Sequence, residues 1–184
     1  SSTSSGITFS VTGDFNQTGG TISQTGTGAH TINFTGTTPK AVTLNGTNTG
    51  IINYTVNNGN GNGIAITGTM NINAGATFTS SIASNPVTSG SLVYSATGNL
   101  AYVSAQGAQT MGSEWPATNG PAKVTVNNTA TAPANTFTMT GSRTLSGANS
   151  LALTNGVIVL ENNDLTLDVT ATMASATFNA TRMI

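Results

Sequence analysis

Cysteine is absent from the 184 residues, histidine and tryptophan occur once each, and the chain holds only four basic and five acidic side chains. Without cysteine there is no disulfide framework and no thiolate metal site. With a charged fraction of 5% against a usual ~25%, the chain lacks the basic patch that nucleic acid or anionic lipid would need. Long apolar runs are missing as well. A membrane-spanning helix takes ~20 consecutive apolar residues, and the longest runs, such as Gly156–Leu160, are only strand-sized. Disorder is disfavoured too, because disordered chains combine low hydrophobicity with high net charge, and here the net charge is −1. Ser1–Gly6 is polar, so an export signal is expected to be removed or to lie outside this stretch.

Threonine, glycine, asparagine and serine take the place of the charges. Threonine is β-branched and favours strands, while glycine and asparagine favour turns and tolerate positive φ. Strong helix formers are scarce. The composition therefore points to an all-β chain.

Short strand-like runs return every 8–12 residues or so, each closed by Gly or Asn. In the first half they are 7–11, 21–24, 30–34, 41–44, 51–56, 64–66, 70–72 and 77–79. The second half gives 91–94, 100–103, 123–126, 136–139, 143–145, 150–153, 157–160, 165–169 and 176–179. Apolar and small polar residues alternate in His30–Phe34 and Lys123–Val126, which buries one face of each strand. Asn-Gly pairs at Asn45, Asn58, Asn60, Asn62, Asn119 and Asn155 suit hairpin turns and solenoid corners equally.

An internal repeat separates those topologies. Val11–Ser23 (VTGDFNQTGGTIS) resembles Ile66–Phe78 (ITGTMNINAGATF) and, more loosely, Leu145–Val159. Recurring copies indicate stacked units, none of which buries its apolar face alone. At roughly 20–25 residues per coil the chain would make about eight coils, a rod of roughly 40 Å. The expected fold is a parallel β-helix, or β-solenoid, with an antiparallel β-sandwich as the alternative. Two modules are expected, 1–89 and 90–184, continuous with one another. The stretch 104–121, which holds Glu114, Trp115, Pro116 and Pro121, departs from the grammar and is expected to protrude as a loop with Trp115 packed back onto the rod.

The runs Gly90–Tyr102 (GSLVYSATGNLAY), Ala108–Pro116 (AQTMGSEWP) and Asn119–Asn128 (NGPAKVTVNN), continued by 138–147 and 151–159, resemble a recurring module of large secreted proteins of Bacteroidota-like bacteria. Gly13–Gly20 and Ile32–Gly36 resemble a sister module. The resemblance implies parallel β-helix coils in long extracellular or cell-surface proteins, of which this chain would be an internal part. It transfers no catalytic residue.

Candidate chemistry is sparse. Glu161, Asp164 and Asp168 with neighbouring Asn carbonyls offer hard oxygen ligands to Ca²⁺. In a strand, however, Asp164 and Asp168 would stand about 13 Å apart, too far to chelate together. His30 has no second His or Cys with which to build a zinc site or a triad. A glycosidase pair could come only from Asp14, Glu114, Glu161, Asp164 or Asp168, and charge stabilisation only from Lys40, Lys123, Arg143 or Arg182. We therefore read the chain as not an enzyme, with no catalytic, cofactor or metal residue assigned. Tyr54, Tyr94, Tyr102 and Trp115 could stack on sugars. Thr pairs such as Thr35/Thr37 and Thr136/Thr138 could match a water lattice, although their sequence spacing is irregular. The expected role is a stalk segment or filament building block, partnered by copies of itself or flanking repeats. Adhesion to surface glycans is the alternative, and ice binding a lesser one.

Overall fold

A computed structural model describes residues 5–174 and the short strand Arg182–Met183. Among the described residues it is all-β with no helix, a β-solenoid of about seven turns built from parallel sheets. At ~4.8 Å per coil the stack is roughly 34 Å long.

All coils but the fifth offer strands to three faces. The first face runs unbroken through Thr8–Val11, His30–Gly36, Ile52–Asn58, Thr77–Ser80, Asn99–Ser104, Lys123–Asn128 and Leu151–Val159. Successive partners on it (Thr8 with Thr31, Thr31 with Asn53, Tyr54 with Phe78, Phe78 with Leu100, Leu100 with Val124, Val124 with Leu151) lie 23, 22, 24, 22, 24 and 27 residues apart. The second face begins with Phe15–Gln17, Lys40–Leu44 and the leading halves of Ile64–Ile72 and Val87–Tyr94. It resumes with Gln109–Thr110, Thr136–Thr138 and the trailing half of Leu151–Val159. The third face is in separate pieces, among them Thr21–Ser23 with Thr47–Thr49 and Arg143–Leu145 with Leu165–Leu167.

Alternation makes the core. Ile52–Asn58 is buried at every second position, starting with Ile52, because successive strand side chains point to opposite faces. Register then piles the inward residues into columns. One contains Phe9, Ile32, Tyr54, Phe78, Leu100, Val124 and Leu151, and the next Val11, Phe34, Val56, Ser80, Tyr102, Val126 and Leu153. A fully buried Val, Leu, Ile or Phe contributes about 1.5–3 kcal/mol relative to exposure, so the columns hold the rod together.

Four strands expected separately are joined into two, and a fifth is extended. The runs 64–66 and 70–72 are one strand bent at Gly68, and 150–153 and 157–160 are one strand bent at Gly156. Val87–Tyr94 likewise bends at Gly90. The strand at 87–94 therefore spans the expected module boundary at 89/90, and the first-face ladder crosses it from Thr77 to Asn99 without a break. The expected strand at 176–179 lies outside the described residues.

The repeat has a different meaning from the one its sequence suggests. Val11, Ile66 and Leu145 all point inward, but they sit on the first, second and third faces respectively. The shared apolar-x-Gly grammar marks corners of the coil: Gly13, Gly68 and Gly147 each follow the end of one face. True coil partners share register instead of sequence.

Candidate functional site

The fifth coil is unlike its neighbours. Its first face, Asn99–Ser104, and second face, Gln109–Thr110, are followed by 111–121 with no third-face strand. Gln109–Thr110 pairs with Thr136–Thr138, so the stretch 104–121 is part of the coil, against the expectation of a protruding loop. Its remainder folds inward, because Met111, Glu114 and Trp115 are buried. Physically, a Trp and two prolines make a poor strand but a good plug: the indole fills interior space, and the prolines need no ladder donors.

Glu114 anchors this plug, fully buried. One carboxyl oxygen, Oε1, accepts the Tyr102 hydroxyl at 2.5 Å and the Gly112 amide at 2.8 Å. The Tyr94 hydroxyl donates to the Glu114 backbone carbonyl at 2.7 Å. The other carboxyl oxygen, Oε2, has no partner. Burial raises the Glu114 carboxyl above its ordinary value, while the Tyr102 hydroxyl and Gly112 amide pull it back. Burial, and then the neighbouring Glu114, push the Tyr94 and Tyr102 phenols well up. Trp115 stacks on Phe137 with ring centroids 6.3 Å apart, and Phe137 lies 4.1 Å from Tyr102. Arg143, half-buried in the sixth coil, donates from Nε to the Trp115 carbonyl at 2.7 Å, and burial lowers its pKa.

The missing strand leaves a cleft of about 630 Å³ between the fourth and sixth coils, bordered by Tyr94, Trp115, Asn119, Arg143 and Thr144. Among the described residues Arg143 is the one charged residue along it. The Glu114 carboxyl does not line the cleft, so it holds the plug in place and has no access to a ligand there. Its chemistry is that of a buried hydrogen-bond acceptor.

The other residues weighed from sequence are dispersed. Tyr54, Tyr94, Tyr102 and Trp115 are all core side chains, at most 5% exposed, so none presents a ring to a sugar. The Tyr54 phenol, bonded to Asn48, is pushed up to about 12 by burial. Asp14 accepts the Ala41 amide at 2.9 Å, tying the first coil to the second. Asp168 caps its own turn by accepting from Thr170 and Ala171, and the Thr170 hydroxyl and amide lower its carboxyl. Glu161 occupies a turn at φ +54°. Among the described residues no three His, Cys, Asp or Glu side chains are placed to share a metal ion. His30 opens its strand, and its Nδ1 accepts the Ile7 amide at 3.1 Å. Arg182 lies in the strand that pairs with Gly156 and Val157.

Two interior features had no sequence signal. Lys40, 2% exposed, turns its ammonium into the corner between the first and second faces, donating to the Thr38 carbonyl at 2.5 Å and the Thr38 hydroxyl at 2.9 Å. Gln109 is buried and donates to the Ser80 and Ile82 carbonyls of the preceding coil. A run of small polar residues between strands gives no hint that one long side chain will fold inward to satisfy a corner.

Among the described residues nothing stacks on the outer side of the first coil. Phe9 and Ile7 are 58% and 52% exposed, and with Val11, Phe15, Ile22 and Ile32 they border an apolar cavity of about 530 Å³. Comparison with family models, with curated proteins and with solved structures finds no match for this chain.

Proposed function

We propose that this chain is a structural segment of a bacterial extracellular or cell-surface protein, acting as a stalk or as the building block of a filament or sheath. The observation that carries the reading is the open first coil. Phe9 continues the column of Ile32, Tyr54 and Phe78, yet nothing stacks above it among the described residues. Among the described residues the strands Thr8–Val11, Phe15–Gln17 and Thr21–Ser23 each pair on one side only, leaving a β-edge that templates further pairing. An apolar, unpaired edge of this shape fits one more coil of the same kind. That coil is supplied by flanking repeats in a stalk, or by another copy in a filament.

Low charge supports the same reading, since it leaves little repulsion between stacked copies. If the chain is a filament block, then without charge to keep copies apart it should associate through its first coil. Particle mass by light scattering is expected to rise with concentration, and I7K with F9K should reduce it without altering the β-spectrum. Open-ended polymers identify a filament block, and a discrete monomer identifies a stalk. Association that both substitutions leave unchanged would show that the first coil is not the joining surface.

A further inference from the structure

The first face is the one whose ladder runs through all seven coils, and its register first shifts only between Val126 and Asn127. Two outward ranks run along it. Ser10, Asn33, Thr55, Thr79, Ala101, Thr125 and Ala152 form one. Thr8, Thr31, Asn53, Thr77, Asn99 and Lys123 form the other, with the Asn53 side chain accepting the Thr77 amide where the paired strands begin.

From these ranks we infer that the first face is a binding surface for ice. Neighbours within a rank stand ~4.8 Å apart along the rod, and the two ranks are about 6.6 Å apart along the strand. Both repeats lie close to the oxygen repeats on a prism face of hexagonal ice. Six of the thirteen positions are threonines, and the fourth coil carries one in each rank, Thr77 and Thr79. Each Thr pairs a hydroxyl, which can hold a water in a lattice position, with a methyl that keeps bulk water out. The ranks carry one charge, Lys123, at the far end, so an uncharged face meets an uncharged ligand. No aromatic ring stands in either rank, which removes the stacking platform that a sugar chain would use. The side chains are short and stand on a paired sheet, so little ordering is needed when many waters are held at once. The irregular Thr spacing in sequence does not count against this, because coils of 22 to 27 residues bring irregularly spaced residues into straight ranks.

The experiment is ice shaping and recrystallisation by the purified 184-residue chain, with T55Y/T79Y on the first face and T166Y on the third as control. All three substituted positions point outward on strands, and circular dichroism with thermal melting confirms that the variants fold. The inference expects faceted ice with the parent chain and with T166Y, and loss of faceting with T55Y/T79Y. It is overturned if the parent chain leaves ice unshaped, or if T166Y loses as much as T55Y/T79Y. Retention on crystalline cellulose without any effect on ice would also overturn it, by making a glycan the ligand. The stalk or filament reading survives each of these outcomes, because it is tested by particle mass.

Discussion

Glu114 is an acid in a place where its charge is costly. Burial raises its carboxyl above the ordinary value of 4.5, so the folded chain holds this proton more tightly than the unfolded chain does. Stability from this group is therefore full below about pH 4.5 and declines as pH rises from there through the raised folded value. The melting temperature should fall across that window, and E114Q should flatten the slope while keeping an oxygen for Tyr102 and Gly112. An unchanged slope in E114Q would show that another group titrates there. Asp168 works in the opposite sense and at lower pH: its lowered carboxyl contributes stability that is lost as pH falls below about 3.8. The sequence flagged Glu114 and Trp115 as unusual and placed Trp115 back against the rod, where it is buried, but it gave no sign that Glu114 would be buried with it. A lone Glu-Trp-Pro in a neutral chain reads as a loop, and only the vacancy left by a missing third-face strand draws it inside.

Corners decide whether a strand can turn from one face to the next. Gly68 and Gly90 have φ of +91° and +95°, and a Cβ on either would lie 2.5 Å from a carbonyl oxygen of the preceding coil, Leu44 for one and Ile66 for the other. Both the conformation and the space exclude a side chain. G68V or G90V should each destabilise the chain by more than about 1 kcal/mol in urea unfolding. At Gly13 no atom lies within 4 Å of an added Cβ, and its φ is ordinary, so G13A should change stability little. Equal losses at all three positions would contradict the corner argument. Strands were legible where alternation is strong, as in Ile52–Asn58 and Lys123–Asn128. Phe15–Gln17, Thr47–Thr49 and Gln109–Thr110 were not, because two or three residues carry no readable period. Only their neighbours in the stack make them strands.

Stacking makes the rod nearly one-dimensional. Each coil touches the one above and the one below, so its stability is a sum of its own and its two interfaces. Among the described residues the first coil has one interface, and its strand Thr8–Val11 is half-exposed or more. Its amides should exchange with solvent fastest, and those of Ile52–Asn58, Thr77–Ser80 and Asn99–Ser104 slowest, when followed by mass spectrometry. Uniform protection from end to end would mean that the coils unfold as one cooperative block. Coupling the first coil to another copy should slow its exchange towards that of the middle, which ties this measurement to the association test.

Composition and alternation were enough to establish an all-β chain of short strands, because they report local preference: Thr and Val for extended backbone, Gly and Asn for the bends, and a period of two for the buried side. The choice of a solenoid over an antiparallel sandwich rested on the repeat and the resemblance. Register came only with the folded chain. Coil lengths of 22 to 27 residues vary too much for a fixed repeat to be read. Which residues share a column, that Val11, Ile66 and Leu145 lie on three different faces, and that the tyrosines and Trp115 point into the core are consequences of contacts more than twenty residues apart. Pairing between coils, not preference within one, sets those contacts.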